Sequence, residues 1–402
     1  MEQDFENKQI EDLLQSEIAF KKYNSIENHY QENFINKIKE ANSGLSVQWF
    51  VTEKIHGCNA QISYDGKDIR YGKRTSYVEN EKFYNIKEVL GQYSDALITY
   101  YNQLAILGLE LDKVIFFGEL FGGSYPHPDV PRNTKCSQVQ KGVYYTPNHE
   151  FKLFDICIVF KDGEYRYLSG YDFINTCKTF GLPHVPVLDA NISLEKALAF
   201  KNDGESRVYS EYNLPQIEDN IMEGIVIRAW YSDLWVSPEH RAIIKSKNDR
   251  FKEVSHQKKR ETPKSQSLPE NIQMIIDKLE AYITPQRVDN IISHFGEITV
   301  KDLGNVLKEM NLDVLKDFEK DNNDFNALEK SELNVVRKIL NAKVAQVVKQ
   351  NEQIKDLLQL KIAWYFLKGC KNEKICISSV IWKWKGVNAN WHPRLNNSFT
   401  TV

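Results

Sequence analysis

No stretch of the 402-residue chain approaches the roughly 20 consecutive apolar residues that a membrane-spanning helix needs, which argues against a membrane protein. The opening MEQDFENKQIEDLL is acidic and polar, unlike a secretory signal or an arginine-rich transit peptide. Cysteines spaced as CxxC are missing as well. The six present (Cys58, Cys136, Cys157, Cys177, Cys370 and Cys376) are dispersed, which speaks against a zinc site or a disulfide frame and for reduced thiols in a soluble intracellular protein. Neither a Walker A motif nor GxGxxG occurs, so any bound phosphates must be held by side chains and metal instead of a glycine loop. There is no internal repeat and no excess of positive charge. With 52 Lys and Arg against 55 Asp and Glu the formal net charge is -3, so cations for a nucleic acid would have to be concentrated in a groove.

The chain is long enough for two domains, and its 42% hydrophobic and 27% charged content is ordinary for a soluble globular protein. Short β-branched and aromatic runs dominate from Val47 to about Glu253, at 48–55, 60–64, 114–121, 151–160, 224–230 and 241–247. A helical stretch spans 85–107. Strands in runs with helices between them predict an α+β domain over residues 1–254. The polar, proline-containing SHQKKRETPKSQSLP then reads as a linker at 255–269.

Beyond the linker the period becomes helical. Ile272, Ile275, Ile276, Leu279 and Ile283 form one apolar stripe, with Ser267 and Glu270 in capping-box spacing before it. Thr284-Pro285 opens a second helix with Val288, Ile291, Ile292 and Phe295 on one face, and Gly296 stops it. Thr299 caps a third, carrying Leu303, Val306 and Leu307. The expectation is a small all-helical domain at 270–350, then a further helix and a Trp- and Lys-rich tail at 351–402.

The candidate chemistry begins at Glu53-Lys54-Ile55-His56-Gly57-Cys58-Asn59, where a lysine ends a strand and a glycine makes the turn. A lysine attacks only as the free amine, and nearby cations favour that form. Lys245 and Lys247 of IIKSK are candidates, and strand alternation puts both on one face, where they could also hold a phosphate. Four more segments complete the pattern: Gly72-Lys73-Arg74-Thr75, Phe117-Gly118-Glu119-Leu120-Phe121, Phe151-Lys152-Leu153-Phe154-Asp155, and Met222-Glu223-Gly224-Ile225-Val226-Ile227-Arg228.

In order and spacing these segments resemble the nucleotidyltransferase motifs of polynucleotide ligases and mRNA capping enzymes: KxxG, a glutamate strand, an aromatic–Asp strand, EGxVIR and KxK. The resemblance is closest to ligases of the RNA ligase 2 type, a family that includes a phage enzyme sealing nicks in double-stranded RNA and ligases of RNA editing. FKKYNSIENHY at 20–30, EKIHGCN with His where DNA ligases usually carry Asp, GKRT, GVYY, KSKNDRF and ITPQRVDNIISHFGEITVKDLG all share it, over about residues 20 to 350. The implied fold is a nucleotidyltransferase domain of twisted antiparallel sheets with flanking helices, followed by the helical domain, which would engage the nucleic acid.

That resemblance implies an ATP-dependent RNA ligase that is monomeric, uses Mg²⁺ or Mn²⁺, and joins 3′-OH and 5′-phosphate ends of RNA through a lysyl-AMP intermediate, at nicks in duplex RNA, with bridged single-stranded ends as the other substrate form open to the same chemistry. Lys54 would carry the AMP. Glu53 and Ile55 would flank the nucleotide, Asn59, Arg74 and Glu119 would contact ribose and phosphate, and Phe154 would stack on adenine. Glu223, with Glu119, would serve the metal. Lys245 and Lys247 would neutralise the α-phosphate, and Arg228, at a position where relatives can carry lysine, would also contact the nucleotide. His56 would act later, at the nucleic-acid 5′-phosphate, and Asp155 would orient the site.

A DNA ligase or guanylyltransferase of the same superfamily is the alternative. Those usually append a β-barrel after KxK, whereas this chain appends helices. A catalytically dead binding module is disfavoured by the intact Lys54, Glu119, Glu223, Lys245 and Lys247. Arg287 has two readings, a solvated helix residue or an RNA or domain-closing contact. His127 reads as a loop residue rather than a metal ligand. Lys258–Arg260 reads as solvated linker, with phosphate contact as the alternative. For Trp382, Trp384 and Trp391 with their neighbouring cations, packing onto the helices stands beside base stacking.

Overall fold

A computed structural model describes residues 20–78, 83–252, 269–322, 325 and 328–359. The Ser267 cap, most of the linker, Lys258–Arg260 and the tryptophan tail fall outside the described residues. The described chain divides into two compact units, one of residues 1–265 with 281–297, the other of 266–280 with 298–402.

The first unit is built on two five-stranded sheets. Its elements run β1 (Glu27–Asn28), α1 (Glu32–Ala41), β2 (Trp49–Lys54), β3 (Cys58–Tyr64), β4 (Ile69–Lys73), α2 (Ile86–Gly91), α3 (Ser94–Ile106), β5 (Leu111–Gly122) and β6 (His149–Phe160). Then follow β7 (Tyr165–Tyr167), α4 (Gly170–Phe180), β8 (Val187–Ile192), α5 (Leu194–Leu198), β9 (Gly224–Ala229), β10 (Trp235–Ser237), β11 (His240–Arg241), β12 (Ile244–Lys247) and α7 (Pro285–Ser293). The first sheet is ordered β1-β12-β9-β2-β8 and the second β4-β3-β5-β6-β7, with β10–β11 a separate hairpin. Pairing is antiparallel except between β1 and β12. The α+β expectation holds. The expected strand at 241–247 is broken in two, with β11 ending at Arg241 and β12 starting at Ile244.

Each sheet buries its outer face under helices. Phe34, Ile35 and Ile38 of α1 pack on Trp49, Val51, Ile225, Ile227 and Ile244 of the first sheet. Ile86, Leu90, Leu97, Phe173 and Cys177 from α2, α3 and α4 pack on Ile62, Phe116, Phe151 and Leu153 of the second. Helix α4 shows how locally its ends are written. The Ser169 hydroxyl accepts the Asp172 N–H at its start, and Gly181, at φ 63°, ends it in the left-handed conformation.

The second unit holds α6 (Glu270–Glu280), α8 (Leu303–Asp321) and α9 (Lys330–Gln350). Val306, Met310, Val314 and Phe318 are buried at four-residue spacing on α8, as are Val336, Leu340, Val344 and Val348 on α9, and α9 packs on both other helices. Thr299 and Asp302 form the capping box before α8. Helix α7 forms where Thr284-Pro285 predicts it: the Thr284 hydroxyl accepts the Arg287 N–H at 3.2 Å and Pro285 occupies the first turn. Its stretch, 281–297, nonetheless groups with the first unit and not with the helices on either side of it in sequence.

Candidate active site

Strand β2 is buried along its length until Lys54, whose side chain is 20% exposed. Pairing of β2 with β9, and of β9 with β12, puts Lys54, Gly224 and Lys247 in one row across the first sheet, with Thr52, Val226 and Lys245 in the next row but one. Since alternate residues share a face, Lys54, Lys245 and Lys247 stand on one side of this sheet. Gly224 separates two of these lysines, and a Cβ there would collide with the Ser246 carbonyl oxygen.

Lys54 and Lys247 converge on Glu223, which is 2% exposed. The Lys54 Nζ donates to its Oε2 at 2.6 Å, the Lys247 Nζ lies 3.4 Å from Oε1, and the His56 Nδ1 lies 3.4 Å from Oε2. Burial alone would raise the Glu223 carboxyl, but Lys54, His56 and Lys247 prevail and hold it well below the usual range.

Glu119 sits opposite Asn59 on β3 and opposite Lys152 on β6. Burial pushes its carboxyl up to about 7; Lys54 opposes this, Glu223 reinforces it, and Arg74 and the Gly57 N–H pull it down. Asn59 is half-buried and Arg74 exposed, so this corner opens to solvent where a ribose and phosphates could enter. Two carboxylates suit a Mg²⁺ or Mn²⁺ that takes its remaining ligands from phosphates and water. A closed protein cage does not fit, since among the described residues no group of three or more His, Cys, Asp or Glu could hold a metal.

His56 is 4% exposed, and its ring meets the Phe251 ring at 5.0 Å. Its backbone N–H donates to the Tyr145 hydroxyl at 2.9 Å, while Nε2 has no hydrogen-bond partner. Ile55 is buried against Phe121, Val143, Tyr145 and Val185. Phe154 is half-buried between that cluster and the one around Phe117 and Tyr167, with the Tyr23 ring 4.9 Å away.

Glu53 is 3% exposed and its Oε1 has no partner. Burial pushes this carboxyl up to about 7, with the Ser206 hydroxyl and Lys152 opposing and Glu211 reinforcing. A raised carboxyl contributes stability that is complete below the unfolded value of about 4.3 and is lost as pH rises through about 7. The uncharged isostere Glu53→Gln should therefore melt with the wild type near pH 5 and above it at pH 8. Parallel melting curves from pH 5 to 8 check this; a constant difference would remove Glu53 as its source.

Arg228 is not drawn into the Lys54 cluster. Its guanidinium donates to the Phe154 carbonyl at 2.8 Å, to Asp155 Oδ1 at 3.1 Å and to the Leu168 carbonyl at 2.9 Å. Asp155 is fully buried and also accepts from Arg241 at 2.6 Å and from the Tyr23 hydroxyl at 2.9 Å. It thus fixes the backbone that carries Phe154. Arg287 is fully buried, which rules out the solvated reading. His127 lies in a loop, where its Nδ1 accepts the Asp129 N–H at 3.2 Å. Tyr23, Gln140, Tyr145 and Arg241 carry contacts that the sequence assigned to no role; for Tyr23 and Tyr145 the only signal was membership of the quoted FKKYNSIENHY and GVYY segments.

Among the described residues, no helix is long and apolar enough to cross a membrane. The chain is 28% identical to mitochondrial RNA-editing ligase 2 of Trypanosoma brucei brucei over 359 residues, covering 75% of this chain and 83% of that protein. It is 30% identical to mitochondrial RNA-editing ligase 1 of the same organism over 247 residues, 53% of this chain and 52% of the relative. A Naegleria gruberi RNA ligase structure aligns with 58% of this chain and 56% of its own, at 18% identity and a TM-score of 0.38. The RNA ligase family model matches residues 47–247, which contain every motif from KxxG to KxK. The model of the T4 RNA ligase 2 C-terminal region matches 265–346. By these two consecutive matches, the chain belongs to the RNA ligase family.

Proposed function

We propose that the protein is an ATP-dependent RNA ligase that carries AMP on Lys54 and joins 3′-OH to 5′-phosphate ends, at nicks in duplex RNA. The observation that carries this reading is the 2.6 Å contact between Lys54 and the buried Glu223, with Lys247 on the same carboxylate and Lys245 on the same face. The Lys54 nitrogen gives up its proton and attacks the α-phosphorus of ATP, and the bond to pyrophosphate breaks. The AMP then moves to a 5′-phosphate, returning the amine. Finally a 3′-hydroxyl attacks that phosphate, and AMP leaves as the phosphodiester forms.

Charge accumulates on phosphate oxygens in every step, so the cations supply most of the stabilisation. Lys245 and Lys247 face the α-phosphate, and Arg74 and Asn59 hold ribose and phosphate. Phe154 stacks on adenine, with Glu53 and Ile55 also at the nucleotide. A divalent ion held by Glu223 and Glu119 would act as a Lewis acid on the phosphates. His56, with one free ring nitrogen, serves the incoming 5′-phosphate.

Incubation with α-labelled ATP or GTP and Mg²⁺ tests the first step. ATP should label the protein in an acid-labile adduct, and GTP should not; preferential labelling by GTP would indicate a capping activity instead. Matched nicked duplexes, differing only in RNA or DNA on each side, test the rest. Sealing should require ribose at the 3′-OH end, and equal rates with an all-DNA nick would refute RNA as the substrate.

A further inference from the structure

We propose that helix α7 is part of the adenylyl-transfer apparatus, acting through Gln140 as a latch on the lysine loop. The inference rests on the reading of Lys54 as the nucleotide carrier, and goes beyond it by naming a positioning residue and the element that holds it. Gln140 belongs to the irregular segment between β5 and β6 and is 7% exposed. Its Nε2 donates to the Ser293 hydroxyl at 2.9 Å, and also lies 3.3 Å from Asn290 Oδ1 and 3.4 Å from the Gly57 carbonyl oxygen. The Ser293 hydroxyl donates to the Asn290 carbonyl at 2.7 Å, which leaves its lone pairs for the Gln140 amide. One amide hydrogen thus goes to α7, and the other is shared between α7 and the glycine of KxxG.

The Gly57 peptide has little room to move. A Cβ on Gly57 would collide with the Leu120 carbonyl oxygen, so the turn already lies against β5. The same segment, 138–145, also supplies the Tyr145 hydroxyl that accepts the His56 N–H. Two consecutive residues after Ile55 are therefore held from one loop, and α7 holds that loop through Ser293, which is 2% exposed. Residues 281–297 belong to the same compact unit as the loop, although the family model for the C-terminal region includes them. The consequence is a helix beyond the linker that sets the angle at which Lys54 and His56 are presented.

The test measures single-turnover formation of the labelled AMP adduct by the full chain over a range of ATP concentrations. Ser293→Ala suits a helix position and removes only the hydroxyl. Gln140→Met keeps the length and removes the donor. Each should lower the rate at saturating ATP by roughly tenfold, since small misplacement of a reacting group is costly, with half-saturation changed by less than about twofold. The double variant should be no slower than the slower single one, because both changes break one connection. Ser293→Thr, which retains the hydroxyl, should restore the rate. A purely structural role would lower the melting temperature and leave the saturating rate per folded molecule unchanged. That result overturns the latch, as does a double-variant loss equal to the product of the single losses. Failure of the wild-type chain to form an adduct would instead overturn the assignment of Lys54.

Discussion

Lys54→Ala should carry no detectable AMP after incubation with ATP and Mg²⁺, while still sealing a strand supplied already adenylylated at its 5′ end. Only the first step uses the lysine as nucleophile; in the last, the 3′-hydroxyl attacks and AMP is the leaving group. Charge balance favours a folded variant. Glu223 loses its 2.6 Å partner but keeps Lys247 and His56 at 3.4 Å each, so the buried carboxylate is not left alone. Loss of the adduct with a wild-type melting profile, together with sealing of the pre-adenylylated strand, would separate the chemistry of Lys54 from its structural contribution. An adduct that persists in the variant, or that maps to another residue, would move the nucleophile elsewhere.

The cluster around Lys54 is legible in the sequence because Lys54, Glu223 and Lys247 stand at or beside strand ends within recognisable motifs. What the sequence could not supply was pairing across distance. Lys54 lies opposite Gly224, and nothing local to either strand announces that register. Arg228 shows the cost. It follows Glu223 in one motif and was grouped with the nucleotide, yet its partners are Phe154, Asp155 and Leu168 from other elements. A cation at a strand end does not reveal which charge it meets.

Helix α7 shows a second limit of local pattern. Val288, Ile291 and Ile292 predict a helix with one buried face, and the helix is there. A stripe of apolar residues says that a face will be covered and not by what. The stripes of α6 and α7 look alike in sequence, yet α6 packs with α9 and α7 belongs with the sheets. Gln140 escapes the sequence for a third reason: the segment between β5 and β6 has no period, and neither the His127 reading nor the GVYY motif reaches Gln140.

Asp155→Ala should be the most destabilising substitution in the site. The carboxylate is fully buried and accepts from Arg228, Arg241 and Tyr23, and Arg241 also lies 3.8 Å over the Tyr167 ring. Removing it strands two buried guanidinium groups, of which only Arg241 has a second acid, Asp233 at 2.7 Å. Breaking a buried ion pair from one side typically costs about 3–5 kcal/mol, since the remaining charge keeps its desolvation penalty. Pairing the loss with Arg228→Met tests the account. The double variant should recover part of the stability, because one stranded cation is gone, whereas independent contributions would sum. Urea denaturation of the four proteins measures this. A cost below about 1 kcal/mol for Asp155→Ala, the range of exposed ion pairs, would mean that water reaches the network. Adenylylation gives a second readout. The Phe154 carbonyl is held by Arg228, and Arg228 is held by Asp155, so the variant should bind ATP more weakly even where it remains folded. Unchanged ATP affinity in a folded Asp155→Ala protein would show that the Phe154 platform keeps its place without the carboxylate beneath it.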